Sequence, residues 1–220
     1  MLKQSDFLRY LASFGNGQDQ PVRIPSLGEL SVQMGVSVSK LREQLEAARI
    51  LGLVEVRPRT GIQRKPYRFS PAVTQSLLYA VRRDRRRFSS YADLRIQVEA
   101  AFWESAVAQL TAEDHHLLND LVARALEDLN GDPIIIPHPE HRAFHLAIFS
   151  KLDNPFVYGL LEAYWDAYEA VQLNSYAELS YLREVWRYHE KIADLICAGD
   201  AQGSLVAFIE HTKLLSVRHS

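Results

Sequence analysis

The chain has 220 residues, 47% of them hydrophobic, and a formal net charge of −2. This is enough apolar material to form two packed domains. A single cysteine, Cys197, excludes an intrachain disulfide framework and suits a reducing cytoplasm. Its apolar surroundings predict that it lies in a core. No apolar run approaches the length of a membrane span and no charged-then-apolar leader is present, so we expect a cytoplasmic protein without a membrane segment.

Charge is divided unevenly along the chain. Residues 1–88 hold 16 lysines and arginines against 7 acidic residues, whereas residues 89–220 hold 9 against 20. A basic front half and an acidic back half indicate a nucleic-acid-binding module joined to a module for a different ligand. The basic run at residues 82–87 fits either a solvated linker or direct phosphate contact.

Two short helices joined by a tight turn are predicted between residues 26 and 52. Ser26 and Glu29 have the spacing of a capping box at the start of the first helix. Gly35 ends that helix, because glycine tolerates the left-handed backbone needed there. Ser37 is placed to cap the second helix, and Gly52 stops it. Apolar residues at helical spacing give each helix one buried stripe.

A two-stranded wing is predicted after the helix pair, from Leu53–Val56 and Ile62–Phe69 joined by a turn at residues 58–61. This arrangement places the second helix in the DNA major groove. The alternative is a helical hairpin plus a β-ribbon with no nucleic-acid role. The expected DNA contacts come from the cap of the first helix, the exposed face of the second and the wing turn: Ser26, Ser37, Ser39, Lys40, Arg42, Arg59, Thr60 and Gly61.

The chain beyond residue 70 is predicted to be almost entirely helical. The fold class is therefore mainly α: a winged helix-turn-helix domain at 1–69, a linker with a short helix at 70–88, and an all-α bundle of six or seven helices at 89–220. The predicted helices span residues 72–83, 90–110, 113–129, 139–151, 156–174, 178–198 and 201–217.

Four histidines are the chemical feature of the bundle. His141 and His145 are four residues apart and share one helix face, whereas His189 and His211 lie on two later helices. Each has apolar neighbours at helical spacing, so all four could converge on a divalent metal. The alternative is a set of core or surface histidines that are satisfied by hydrogen bonds.

Two sets of residues follow one recognisable order and spacing, and together they span nearly the whole chain. The first set is Pro25-Ser26, Glu29-Leu30, Gly35-Val36-Ser37, Leu41-Arg42-Glu43, Leu45 and Gly52-Leu53-Val54. The second set is Asp93-Leu94-Arg95, Glu99, Phe144-His145, Asn154-Pro155, His189, Ala198-Gly199-Asp200 and His211. The chain thereby resembles the GntR-family transcription regulators of the FadR subgroup.

The resemblance implies a homodimer that binds a palindromic operator in double-stranded DNA. It also implies a small carboxylate effector that binds the helical domain and relieves repression. Many such proteins hold a divalent metal through three histidines and an aspartate. His145, His189 and His211 stand at the histidine positions, but His141 stands at the aspartate position. Either a four-nitrogen site forms, suited to Zn²⁺, Ni²⁺ or Cu²⁺ with Zn²⁺ or Ni²⁺ expected, or His141 turns away and the site is weaker or empty.

The resemblance also implies an effector contact and an altered operator. Arg95 stands at the position of a carboxylate-pairing arginine, although an intrahelical pair with Glu99 is the alternative. Gly28 and Val38 occupy positions that base-reading arginines often fill, so the operator is expected to differ from the common one. The expected function is a ligand-responsive DNA-binding regulator and not an enzyme. The alternatives are a metal-dependent enzyme with an N-terminal docking module, and an architectural DNA-binding protein without a ligand.

Overall fold

The computed structural model describes residues 5–13, 22–170 and 178–216, with side chains up to residue 214. Within these residues it contains ten helices and three strands. The mainly helical fold class is thus confirmed. The chain divides into two compact units, Met1–Ser76 and Leu77–Ser220.

The first unit combines three helices with a small antiparallel sheet. Strand β3 (Gly61–Arg64) lies in the middle of the sheet, between β1 (Val22–Ile24) and β2 (Val54–Arg57). Ile62 has Ile24 opposite it on one side and Val56 on the other. Its core is one cluster of apolar residues from every element: Phe7, Leu11, Ile24, Leu30, Leu41, Leu45, Ala48, Val54 and Ile62. The elements are α1 (Asp6–Ser13), β1 (Val22–Ile24), α2 (Leu27–Met34), α3 (Val38–Ile50), β2 (Val54–Arg57) and β3 (Gly61–Arg64).

The helix pair predicted for this unit is present, but the sheet differs from the prediction. The predicted return strand at 62–69 ends at Arg64. Helix α1 and strand β1 were not predicted from the sequence. A strand of three residues has almost no periodicity of its own, and β1 is defined by its pairing with β3.

Caps and two glycines fix the helix pair. Glu29 N–H donates to Ser26 Oγ over 3.3 Å and Ser26 N–H donates to Glu29 Oε2 over 2.8 Å, which completes the predicted capping box. Gly35 has φ 63° at the turn into α3. Gly52 has φ 74°, and a Cβ there would lie 2.6 Å from Pro71 Cγ. Any other residue at position 52 would therefore be strained and would collide with Pro71.

The second unit is an all-helical bundle, and α4 (Ser70–Arg83) begins before the boundary between the units and ends after it. Residues 171–174, which were predicted to be helical, and residue 217 lie outside the described residues. The remaining helices are α5 (Arg86–Val107), α6 (Ala112–Asn130), α7 (His138–Ile148), α8 (Pro155–Ala170), α9 (Leu179–Cys197) and α10 (Ala201–Ser216).

Aromatic side chains are the largest groups in the core of this bundle. Trp103 is fully buried, stacks on Phe208 with ring centroids 4.6 Å apart and donates its indole N–H to Ser204 Oγ over 2.9 Å. These contacts join α5 to α10. Cys197, predicted in the core, is exposed instead because it lies on the outward face at the last turn of α9. Among the described helices, none is long and apolar enough to cross a membrane.

Candidate metal centre and DNA-contacting surface

The four predicted histidines meet inside the bundle. His141 and His145 come from α7, His189 from α9 and His211 from α10. Every pair of rings has its centroids between 4.5 and 6.1 Å apart. One nitrogen from each ring can be chosen so that the four atoms all lie within 4.8 Å of one another. His145, His189 and His211 are buried and His141 is half-buried. The structure therefore brings His141 into the cluster and does not turn it away.

Hydrogen bonds fix the orientation of His189. Its Nδ1 lies 2.7 Å from the main-chain carbonyl oxygen of Val185, one turn earlier on α9. Because a carbonyl oxygen can only accept, Nδ1 must hold the proton and donate it. Nε2 then carries no proton, and its lone pair points into the cluster.

His145 is oriented by a carboxylate. Its Nδ1 lies 3.2 Å from Glu99 Oε1 on α5, so Nδ1–H donates to Glu99 and Nε2 again keeps a lone pair. The Nε2 atoms of His145 and His189 are 3.3 Å apart. Two ligands of one tetrahedral ion with bonds of about 2.0–2.1 Å have nitrogens about 3.3 Å apart. Two facing lone pairs repel, and a shared cation removes that repulsion.

The other two histidines have nitrogen atoms without a hydrogen-bond partner. Both ring nitrogens of His211 and Nε2 of His141 are buried and unbonded. An unpaired buried polar atom costs about 1–3 kcal/mol, so its presence in a native protein calls for an explanation such as an ion. The orphaned nitrogens and the imidazole-only donor set both fit a divalent transition metal.

Burial keeps these rings neutral. Loss of hydration lowers the pKa of His141, His189 and His211 well below the ordinary value of 6.5, and neighbouring histidines lower it further. Burial also lowers the pKa of His145, although Glu99 opposes the shift. At neutral pH each ring therefore retains a lone pair for a metal, with no proton to displace.

Arg95 and Glu99 form the charged boundary of the cluster on α5. Arg95 Nε lies 3.0 Å from Glu99 Oε2 at ion-pair distance, and both residues are buried. The guanidinium carbon of Arg95 is 4.3 Å from the ring centroid of Tyr164. The intrahelical pair foreseen for Arg95 is thus present. The contact of Glu99 with His145 was not predicted. The sequence does place two charged residues, Arg95 and Glu99, among the buried apolar positions of α5, and this pattern could have indicated a polar contact inside the bundle.

The predicted DNA-contacting residues in α3 lie on its exposed face. Ser37 caps the helix, with its Oγ accepting from Lys40 N–H over 3.3 Å, and Ser39 and Arg42 are exposed. Lys40 Nζ lies 2.9 Å from Asp6 Oδ2 on α1, so an ion pair holds its ammonium group. In α2, Ser26 donates its hydroxyl proton to Glu29 Oε2 over 2.7 Å. That proton is therefore used within the capping box.

The wing turn presents the last three predicted residues, Arg59, Thr60 and Gly61, all exposed. Gly61 pairs with Arg57 at the end of the β2–β3 hairpin. Arg59 has φ 71°, which is uncommon for a residue with a side chain. Such strained positions cluster at functional sites.

A winged helix-turn-helix unit followed by an all-helical unit with a buried histidine cluster is the architecture of a ligand-controlled transcription regulator. Residues 91–213, more than half of the chain, match the family described as FCD domain. The chain belongs to this family, whose domain is the C-terminal ligand-binding domain of GntR-family regulators. The FadR subgroup stays a prediction.

Solved structures agree on the fold. Streptococcus agalactiae GntR has a TM-score of 0.64 at 20% identity, over 90% of this chain and 89% of that chain. E. coli McbR/YncC has a TM-score of 0.51 at 19% identity, over 87% of this chain and 84% of that chain. No curated protein sequence matches the chain.

Proposed function

We propose that this protein is a metal-dependent repressor whose DNA binding is controlled by a small carboxylate. The observation that supports it most is the cluster of four imidazoles with ligand atoms within 4.8 Å of one another inside the ligand-binding domain. A homodimer would place two copies of α3 and the wing on the half-sites of a palindromic operator.

The metal we propose is Zn²⁺ or Ni²⁺, held by His141, His145, His189 and His211. An imidazole-only set favours these ions over Mg²⁺, Ca²⁺ or Mn²⁺, which prefer oxygen ligands. When bound, the ion supplies a positive, Lewis-acidic centre for a carboxylate. Four imidazoles fill a tetrahedral zinc site, whereas a six-coordinate ion such as Ni²⁺ would leave two positions for the effector.

Arg95 supplies the second positive group near the site. It lies at ion-pair distance from Glu99, which contacts His145, and its charge adds to the burial that lowers the pKa of each of the four histidines. A carboxylate that reached both the metal and Arg95 would gain two favourable electrostatic contacts in a buried place. Arg95 is therefore our proposed effector-binding residue.

Control of DNA binding would follow from a shift between two arrangements of the dimer. If the effector binds the arrangement that fits the operator poorly, it moves the balance toward that arrangement and releases DNA. The contacts in α3 and the wing would set the operator sequence and the salt dependence of binding.

The test begins with metal-free full-length protein. Zn²⁺ and Ni²⁺ should bind one per chain by calorimetry, and a set of small carboxylates should raise the melting temperature only when metal is present. The protein should bind operator sequences selected from random DNA and should release them when the same carboxylates are added. Absence of metal binding by the wild-type protein would refute the metal-dependent function, and turnover of a carboxylate would favour the enzyme alternative.

A further inference from the structure

Building on the proposed function, we propose that Glu99 is a positioning residue of the metal site and that Arg95 holds it in place. Glu99 comes from α5, which contributes none of the four histidines. It accepts the Nδ1 proton of His145 and thereby turns Nε2 of that ring toward the other histidines. Arg95 and Glu99 together then hold one proposed ligand, His145, in the orientation that binds metal.

The contacts run in a continuous series through buried atoms. Arg95 Nε lies 3.0 Å from Glu99 Oε2, and the opposite carboxylate oxygen, Oε1, lies 3.2 Å from His145 Nδ1. The Nε2 atom of that same ring lies 3.3 Å from Nε2 of His189. Glu99 is 0% exposed and His145 is 1% exposed. Oε1 of the carboxylate therefore has a hydrogen-bond partner, whereas Oε2 faces Arg95 Nε at ion-pair distance without a hydrogen bond.

The placement of the two charges argues for a role beyond packing. A buried ion pair is expensive to desolvate, and apolar residues of similar volume often do as well or better for stability. Arg95 and Glu99 are nonetheless on the buried stripe of α5, which also includes Phe88, Trp103 and Ala106. A ligating histidine whose distal N–H meets a carboxylate has a fixed tautomer and a more basic metal-binding nitrogen.

His189 shows the contrast within the same site. Its Nδ1 donates to a neutral main-chain carbonyl oxygen on its own helix, at Val185. The backbone therefore orients His189 wherever α9 forms, whereas the orientation of His145 depends on a side chain 46 residues away. A substitution of Glu99 should thus alter the hydrogen bond that orients His145 and leave the one that orients His189 in place.

The test compares Glu99→Gln with the double variant Arg95→Met, Glu99→Gln, using Co²⁺ as the probe. Glutamine keeps an acceptor for His145 Nδ1–H but has no charge. The double variant also removes the arginine, so that no buried charge is left unpaired. The control is Glu184→Gln, which removes the acid of an exposed Glu–Arg pair on α9. We expect both Glu99 variants to bind Co²⁺ about 10- to 100-fold more weakly than wild type and the control to match wild type.

Two readouts separate positioning from a structural role. The visible absorption of bound Co²⁺ should change in both Glu99 variants, because His145 Nε2 is a weaker metal ligand when its Nδ1–H no longer meets a carboxylate. A double variant with the affinity and spectrum of wild type would show that the pair serves folding only. If wild-type protein binds neither Co²⁺ nor Zn²⁺, the proposed function fails together with this inference.

A further test uses the wild-type protein, so its result does not depend on whether a variant folds. Nitrogen NMR of the metal-free protein should show His145 with its proton on Nδ1 and in a hydrogen bond. A proton on Nε2 of His145 in the metal-free protein would overturn the inference.

Discussion

The four imidazoles differ in how firmly their orientation is fixed. His145 and His189 each donate Nδ1–H to a defined acceptor, but His211 has no bonded nitrogen and His141 has an unbonded Nε2. His141 is also the half-buried member of the cluster and packs edge-on against Trp165 with centroids 4.8 Å apart. Among the four proposed ligand positions, position 141 is therefore the one at which a change of side chain should be tolerated best.

We predict that His141→Asp keeps a metal site and changes its preference. A carboxylate oxygen in place of one imidazole favours harder ions, so the ratio of Mn²⁺ to Ni²⁺ affinity should rise by about tenfold or more relative to wild type. Competition titrations with a chromophoric chelator would measure both constants. His141→Ala, which only removes a ligand, should weaken both ions. Equal behaviour of the two variants would contradict the prediction.

The wing offers a second prediction at the residue level, because Arg59 combines a left-handed backbone with an exposed cation. Arg59→Gly should leave the turn intact or stabilise it, since glycine adopts φ 71° without strain. The same variant should weaken binding to all DNA sequences by a similar factor and lower the salt slope by about one. Gel-shift titrations at several salt concentrations measure both effects. A loss confined to one operator sequence would show that Arg59 reads bases.

Among the elements, α3 is tied to α1 by more than apolar packing. Lys40 of α3 pairs with Asp6 of α1 at 2.9 Å, and Phe7 N–H donates to Gln44 Oε1 over 2.9 Å. Phe7 and Leu11 bury the inner face of α1 against the core of the first unit. The exposed face of α3 is consequently held by a helix on its flank as well as by α2.

The Asp6–Lys40 pair predicts a pH dependence of stability. Hydrogen bonds from Lys40 and Arg9 lower the pKa of Asp6 from 3.8 to about 2 in the folded protein. Between these values the unfolded chain binds more protons, so the stabilisation from Asp6 is complete above pH 3.8 and is lost as pH falls toward 2. Asp6→Asn should remove this contribution. The difference in urea midpoint between wild type and variant should be constant near neutral pH and shrink below pH 4, whereas a difference that grows in acid would reverse the assignment.

In the whole molecule, metal binding would join helices that are far apart in sequence. The proposed ligands come from α7, α9 and α10, and one of them, His145, also contacts Glu99 on α5. The first unit has its own core and contributes no ligand. Metal should therefore stabilise one of the two units and leave the other unchanged.

We predict two unfolding transitions with different responses to chelator. Removal of Zn²⁺ should lower only the transition of the helical unit, because a ligand present at about 100 times its Kd stabilises a domain by roughly 2.7 kcal/mol. Calorimetry of the full chain with and without a chelator measures this. His189→Gln protein should show no response to the chelator. A parallel drop in both transitions would mean that the two units unfold together.

The fold was largely predictable wherever the signal was local. The caps at Ser26 and Ser37, the turn at Gly35 and the helical periodicity of the second unit are all properties of short segments. Strand β1 was not predicted, because three residues carry little periodic pattern. Helix α1 was missed although Phe7 and Leu11, four residues apart, form its buried face. Cys197 was misplaced because apolar neighbours in sequence do not determine which face of a helix turns outward.

The four histidines of the candidate site could be predicted, but the hydrogen bonds that orient them could not. Histidines at helical spacing with apolar neighbours could be expected to converge, and the structure places all four together. The pairing of Glu99 with His145 depends on how α5 packs against α7, which no spacing encodes. The pairing of Lys40 with Asp6 depends in the same way on a helix that was not predicted.

The origin of one ligand in α10 has a consequence during synthesis. A nascent chain that has emerged only through α9 possesses three of the four imidazoles and lacks Ser204, the partner of the Trp103 indole. Domains generally fold as units during synthesis, and all four imidazoles come together only after α10 has packed against the other helices. A metal held by all four imidazoles could therefore bind only after α10 has been made, and a copy truncated before α10 would lack the complete set of proposed ligands.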